Sequence, residues 1–459
     1  MNIGGNTPSH LPEARSAAPG SPLTPAPQAK EAAASATPGV APLRRYTHQA
    51  LDDIQALRAL GAARSSSSSI AGFSPAHSQR LSDEYGFSFQ RDLAADVRQD
   101  ASVGDALQAF VDRAKEKEQT LPSAPPSQET LQFATTLEGL FTLLDRDRDG
   151  KIEKNELRIA VHNPRLKGDQ AAALVALLTL MDSKDGEAYE DGITKKQLQE
   201  LREGKAPGKL GQNTAAYFVY FKNKLQGQSD QVFVGNPDPR QLEQGQYGTC
   251  YFLAALVAKA QQDPEGLKKM IQDNRNGTYT VTFPGHDPIV VEGPTDSEKL
   301  FGASSGGNGM WATLLEKAYA QLRAGGKWDP NSDPMEDVEG GSLRTGMKAV
   351  TGRSTDVDEL LFTFESTTRE KIKKALAAGK MITCSTSISI FSKEVVPDRH
   401  VYTVIGYDAA SDKVKIRNPW GSGEPNDASG KPKDGVNDGI FEMTISEFDS
   451  VFEDICYEQ

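Results

Sequence analysis

One twelve-residue stretch, DRDRDGKIEKNE, constrains its surroundings more tightly than any other part of the chain. It places Asp145, Asp147 and Asp149 at positions one, three and five, Gly150 at six, Lys151 at seven, Ile152 at eight and Glu156 at twelve. Each slot has a physical task. Three carboxylates converge on one hard cation, Gly150 turns the chain sharply, Lys151 offers its backbone carbonyl, and Glu156 can bind with both oxygens. Such a loop needs a helix entering and a helix leaving, and TLQFATTLEGLFTLL in front of it repeats apolar residues at helical spacing. A solvated charge run is the bland alternative, but it requires neither the glycine, the isoleucine nor the amphipathic flanks. The expected cofactor is Ca2+, held by Asp145, Asp147, Asp149, Lys151 and Glu156.

A second pass follows in LVALLTLMDSKDGEAYEDGITKKQLQEL, and together the two define an all-α EF-hand pair over residues 126–205. The second loop starts at Asp182, but reaching its exit helix near Thr194 takes roughly four residues more than the standard loop. Gln197 stands where the last glutamate belongs, so the expectation is a degenerate partner that supports the first hand by packing.

The remaining chain reads in blocks. Residues 1–80 are rich in Pro, Ala, Ser and Gly without apolar periodicity and are expected to be disordered, with a helical linker over 81–125. The formal net charge of -12 argues against nucleic acid as a partner, since phosphate binding needs clustered Lys and Arg. MNIGGNTPSHLPEARS lacks the basic start and apolar core of a secretory signal. The longest apolar stretch, AAALVALLTLM, is too short to cross a bilayer, so no membrane anchor is expected. Three widely spaced cysteines give no disulfide framework and suit a reducing, cytoplasmic compartment. The Ser-, Pro- and Ala-rich start is compatible with a bacterial effector acting inside a host cell. Composition leaves the oligomeric state open.

Chemistry enters with QLEQGQYGTCYFLAALVAKA. Cys250 opens an apolar helical run, and a helix N-terminus is one of the settings that lower a thiol's pKa. A buried thiol packing as a small hydrophobe is the bland reading. Among the six histidines, only His400 stands at the mouth of a strand, HVYTVIGYD, where a sheet would hold it as a base. RNPWG then supplies Asn418, whose amide can orient an imidazole. His400 lies 150 residues after Cys250 and Asn418 another 18 on, which fits a helix-borne Cys followed by a sheet-borne His and Asn.

QGQYGTCYFLAA resembles the nucleophile motif of the calpain family of cysteine proteases. WATLLEKAYAQL, GGSLRTGMKAVTG, RNPWG and NDGIFEMTISEFDSVFEDICY resemble further segments of that family, covering roughly Val232 to Gln459. The resemblance implies an α+β, papain-like two-lobed core, with a helical Cys lobe over 232–350 and a β-sheet His/Asn lobe over 351–459. It also implies Cys250 as nucleophile, His400 as base and then acid, Asn418 as orienter, Gln244 as oxyanion donor, and Trp420 as the shield of the Asn–His contact. The implied activity is endopeptidase cleavage of protein substrates.

The departures concern control. Thr249 stands where the family usually has Asp, and Gln241 and Gly309 stand where its core carries calcium-binding acids. Glu424 and Asp438 remain as counterparts of a second core site, with Ile440 replacing another acid. Core calcium control is therefore expected to be weakened or absent, and any calcium switch to act from the N-terminal side. The alternatives are an inactive calcium-sensing interaction protein on the same scaffold, and acyl transfer of the transglutaminase type.

Overall fold

Ser127 begins the first helix among the described residues by accepting the Thr130 amide at 3.1 Å, and α1 (Gln128–Leu144) runs from there to the acidic loop. Its buried Phe133, Leu137, Leu140, Phe141 and Leu144 follow helical spacing. The computed structural model describes residues 126–182, 189–206, 210–325, 332–386, 396–397, 399–427 and 432–459. The expected disordered start and helical linker, and residues 183–188 of the second loop, lie outside them.

The loop leads through β1 (Lys151–Ile152) into α2 (Lys154–Val161), where Glu153 and Glu156 form a reciprocal capping box. α3 (Asp169–Met181) is buried continuously from Ala171 to Leu178. Such a helix is a core helix, and none among the described residues is long and apolar enough to cross a membrane. β2 (Ile193–Thr194) pairs antiparallel with β1, setting Ile152 opposite Ile193, and α4 (Lys195–Arg202) follows. That register makes Ile193 the counterpart of loop position eight and Gln197 that of position twelve. Gln197 caps its helix from there, with Oε1 accepting the Thr194 amide at 2.8 Å.

A connecting helix, α5 (Leu210–Gln226), packs on α1 and α3. The next part is built on α6 (Cys250–Gln262), α7 (Pro264–Lys269), α8 (Asp296–Phe301), α9 (Trp311–Arg323) and α10 (Leu343–Thr351). It also holds an antiparallel meander of β3 (Ile271–Asp273), β4 (Thr278–Val281) and β5 (Ile289–Glu292), which the reading of a purely helical lobe did not include. Strands of three and four residues are too short to show a period of two. The chain then forms β6 (Thr355–Glu359), α11 (Glu365–Ala377), β7 (Ile382–Ser385), β8 (Val401–Asp408), β9 (Lys413–Arg417), β10 (Ile440–Thr444), α12 (Ile445–Val451) and β11 (Asp454–Glu458). Its six strands order as β10-β9-β8-β7-β11-β6, every pair antiparallel. This is an α+β architecture.

Two apolar clusters hold these elements. One runs without a break from Phe133 of α1 through Leu174 of α3 to Phe252 of α6 and Trp311 of α9. The other fills the sheet's far face with Ile372, Tyr402, Ile416, Phe448 and Ile455. Burying side chains such as Phe252, Leu253 and Leu256 contributes roughly 2 kcal/mol each.

Arg417, 1% exposed, fastens the segment before α6 to the sheet. Its Nη2 donates to the carbonyls of Arg240 at 2.9 Å and Leu242 at 2.8 Å, while Nη1 donates to that of Asp438 at 3.0 Å. Arg417→Met keeps the length and removes these donors from three carbonyls. It is expected to lower stability by about 2 kcal/mol in urea unfolding; an unchanged midpoint would mean the tie contributes nothing.

Candidate active site and metal loop

Cys250 is the first residue of α6, with Thr249 at the cap position. It is partly exposed, whereas Cys384 and Cys456 are buried. Burial pushes the Cys250 thiol up; the backbone amides of Val401, Tyr251 and Cys250 itself pull the other way by favouring thiolate. The Val401 amide belongs to the residue after His400, so it brings the thiol to the head of β8. α6 and β8 are also bonded side by side, Thr403 Oγ1 donating to the Ala254 carbonyl at 2.7 Å.

The turn before Cys250 is packed closely against its neighbour. A Cβ on Gly245 would fall 2.0 Å from the Phe301 carbonyl oxygen, so no larger residue fits there without moving backbone. Beside it, the Gln244 amide N–H donates to the Pro419 carbonyl at 2.8 Å, which joins this turn to the RNPWG segment. The Gln244 side chain donates one Nε2 hydrogen to the Tyr247 carbonyl at 2.7 Å, and its second hydrogen is left for another acceptor.

His400 (4% exposed) and Asn418 (0%) are buried together, 2.8 Å apart from Nε2 to Oδ1. The protonation pattern follows from a third group. The Trp420 backbone N–H, a donor only, also reaches Asn418 Oδ1 at 3.0 Å, which fixes the oxygen toward both. His400 Nε2 therefore carries the proton, and Nδ1 is the basic nitrogen. The Trp420 ring lies over the imidazole with centroids 4.5 Å apart, covering the contact while remaining 40% exposed itself. Burial lowers the His400 imidazole to about 4, against the opposing pull of the Asn418 hydrogen bond. Gln244, Cys250, His400, Asn418 and Trp420 thus fall at one junction between α6 and the sheet.

In the acidic loop, Asp145, Asp147 and Asp149 each present an oxygen within 4.8 Å of the others. Asp149 accepts the Lys151 amide at 2.8 Å, and Asp147 accepts that of Asp149 at 3.1 Å, so two of the three acids also brace the loop backbone. Asp145 Oδ1 is buried with no hydrogen-bond partner. Glu156 is 5% exposed; its Oε1 accepts the Arg146 amide at 2.6 Å and its Oε2 the Glu153 amide at 3.0 Å. An orphaned carboxylate oxygen beside two convergent carboxylates is a donor set suited to a hard cation.

The positions that depart from the family pattern also have a physical account. Gly309 adopts φ +120°, and a Cβ there would lie 2.4 Å from the Val232 carbonyl oxygen, so this site admits no acidic side chain. Asn308 ties the same crossing instead, donating from Nδ2 to the carbonyls of Val234 at 2.9 Å and Asn236 at 3.0 Å and accepting the Asp238 amide at 2.8 Å. Glu424 and Asp438 come together with Asp434; Glu424 Oε1 accepts the amides of Asp438 at 2.6 Å and Gly439 at 2.7 Å. Sequence reasoning missed the buried charged group formed by His162, Glu298, Glu316 and Asp333, whose members are too far apart in the chain to make a motif.

A thiol at a helix N-terminus beside a strand-end histidine, itself oriented by an asparagine amide, is the arrangement of papain-like thiol hydrolases. Comparison with known proteins narrows the class. The family model described as calpain family cysteine protease matches residues 221–456, just over half of the chain, and the chain belongs to that family. It is 29% identical over 260 residues to calpain-8 of Homo sapiens, covering 48% of this chain and 35% of that protein. It is 30% identical over 242 residues to the calpain-1 catalytic subunit of Bos taurus, covering 47% and 32% respectively. The calpain-2 catalytic subunit of Mus musculus is 30% identical over 224 residues, covering 42% and 30%. The chain thus spans about a third of the length of these curated relatives. The part it shares with them is the cysteine protease domain.

Proposed function

We propose that the protein is a calcium-binding, calpain-like cysteine endopeptidase that cleaves protein substrates through an acyl-thioester at Cys250. The observation that carries this reading is the buried His400–Asn418 pair under Trp420, bonded through Pro419 to the Gln244 turn that leads into Cys250. In the first half-reaction Sγ attacks the peptide carbonyl carbon while its proton moves to His400 Nδ1. The Cys250 amide and the second Gln244 Nε2 hydrogen serve the tetrahedral oxyanion. His400 returns the proton to the amine as the C–N bond breaks. Water, deprotonated by the same nitrogen, then attacks the thioester, releasing the acid product and restoring the thiol.

Burial works against charge on both Cys250 and His400, while the amides around the thiol favour thiolate. Calcium would be held by the carboxylates of Asp145, Asp147, Asp149 and Glu156 with the Lys151 carbonyl. When bound, the ion supplies positive charge that offsets the mutual repulsion of these acids. Gln197, an amide serving as a cap, makes the second loop a structural partner. Buried free thiols at Cys384 and Cys456 suit a reducing compartment.

An active-site thiol probe is expected to label wild type and not Cys250→Ala. Equal labelling would leave the other reading, a calcium-sensing protein on an inactive scaffold. Calorimetry on the full chain is expected to show calcium heat that Glu156→Gln reduces at least about tenfold in affinity; heat unchanged by that substitution would remove the loop from the reading.

A further inference from the structure

α2 ties the acidic loop to the rest of the protein at both of its ends. Its first turn carries Glu156, which accepts the Arg146 amide at the start of the loop. Its C-terminus delivers His162, whose ring is nearly buried between two acids from different segments. Nδ1 lies 2.7 Å from Glu298 Oε1 and Nε2 3.0 Å from Asp333 Oδ1. A helix of eight residues is a rod about 12 Å long, so a tilt at the loop end is carried to the histidine end.

The two acids head two segments that grip the nucleophile turn. Glu298 sits in α8, and the C-terminal end of α8 bonds the turn directly. The Phe301 carbonyl accepts the Gln246 amide at 2.8 Å, and the Phe301 ring meets Tyr247 edge-on with centroids 5.0 Å apart. Two residues on, the Ala303 amide donates to Glu316 Oε2 at 2.7 Å, and Glu316 Oε1 accepts the Thr249 hydroxyl at 2.6 Å. Thr249 precedes Cys250. On the other side, Asp333 begins the segment that ends at Gly340, whose amide donates to the Gly248 carbonyl at 2.9 Å. Arg158, one turn before His162 on α2, reaches this segment as well, 3.7 Å from Glu339. Thr295 completes the seam by donating its hydroxyl to the Val161 carbonyl at 2.6 Å.

We propose that His162 is a positioning residue for the nucleophile, clamping the two segments that hold Gln244–Cys250 and so passing the state of the acidic loop to Cys250. The inference rests on reading Cys250 as the nucleophile and Asp145–Glu156 as a calcium loop. No side chain of α2 touches Cys250 in this scheme. Coupling is carried by two hydrogen-bonded arms that share one imidazole.

The test uses the full chain, calcium alone as ligand, and the rate of Cys250 alkylation by iodoacetamide, with Cys250→Ala as the blank. Calcium is expected to change the wild-type rate at least about threefold, a coupling of ordinary size. In His162→Gln the calcium response is expected to shrink below about 1.5-fold, while the affinity of the loop by calorimetry stays within about threefold. Lys167→Ala breaks only an exposed contact to Asp296 across the same seam and is expected to keep the wild-type response. A His162→Gln protein that answers calcium as wild type does overturns the proposal, as does a wild type that binds calcium with no change in rate. If His162→Gln fails to fold, Asp333→Asn keeps the shape but removes the charge that one arm offers the imidazole, and an undiminished response there is equally fatal. The premises fail separately. Absent calcium heat sinks the loop, and alkylation independent of Cys250 sinks the nucleophile; either takes the proposal with it.

Discussion

His400→Ala is expected to lower kcat/KM for a peptide substrate about a thousandfold or more, with the loss almost entirely in kcat. The expectation follows from how completely the imidazole is committed. Asn418 Oδ1 takes the Nε2 proton, Trp420 supplies a second donor that keeps that oxygen in place, and Nδ1 remains as the base. No other histidine among the described residues has this setting: His286 is exposed in a turn, and His162 is held by Glu298 and Asp333. In the proposed mechanism His400 acts on protons in flight and not on the bound peptide, so KM should move little. The check is steady-state kinetics on variants whose circular dichroism matches wild type. A variant keeping a tenth of the activity would mean that another base serves Cys250.

The second large effect is on stability against pH. Burial pulls His162 down, but its hydrogen bonds with Asp333 and Glu298, reinforced by their charges, prevail and raise it from 6.5 to about 9. The partner shifts in the matching sense: burial would raise Glu298, yet Lys317 and His162 bring it to about 2. A group that holds its proton more tightly when folded stabilises fully below its unfolded pKa and loses that contribution as pH rises through its folded one. Stability from His162 should therefore be intact below pH 6.5 and gone above about 9, a change of at most about 3 kcal/mol. Glu316, which burial raises from 4.5 to about 7, adds a separate loss in the lower window between those values. Melting temperatures should thus fall in wild type between pH 6.5 and 9 and stay flatter in His162→Gln over that range. Parallel curves for the two proteins would show that the histidine is not charged when buried.

How much of this was legible in the sequence depends on the distance over which each signal acts. The acidic loop was readable because its acidic residues fall within twelve positions, and the β1–β2 register makes Gln197 the counterpart of Glu156. Cys250, His400 and Asn418 each stand beside a local signal, an apolar helix, the mouth of a strand and an Asn-Pro pair, whereas Gln244 and Trp420 were marked only by the family resemblance. The meander over β3–β5 was not legible, since its strands are too short to display a period. His162 has no local signal of its own. Its partners stand 136 and 171 residues away, with nothing in their own neighbourhoods to mark them. Position 309 was legible as a departure, but only the backbone shows that a side chain has no room there.

The unbroken apolar cluster from α1 to α9 bears on how such a chain can be recombined. α3 is covered on every side, in part by α5 and α8, so the helix–loop–helix pair has no finished surface of its own toward the protease domain. A lineage that exchanged this module for another could not do so at a linker. It would have to carry the facing sides of α5 and α8, with Glu298 and Asp333, along in the same event.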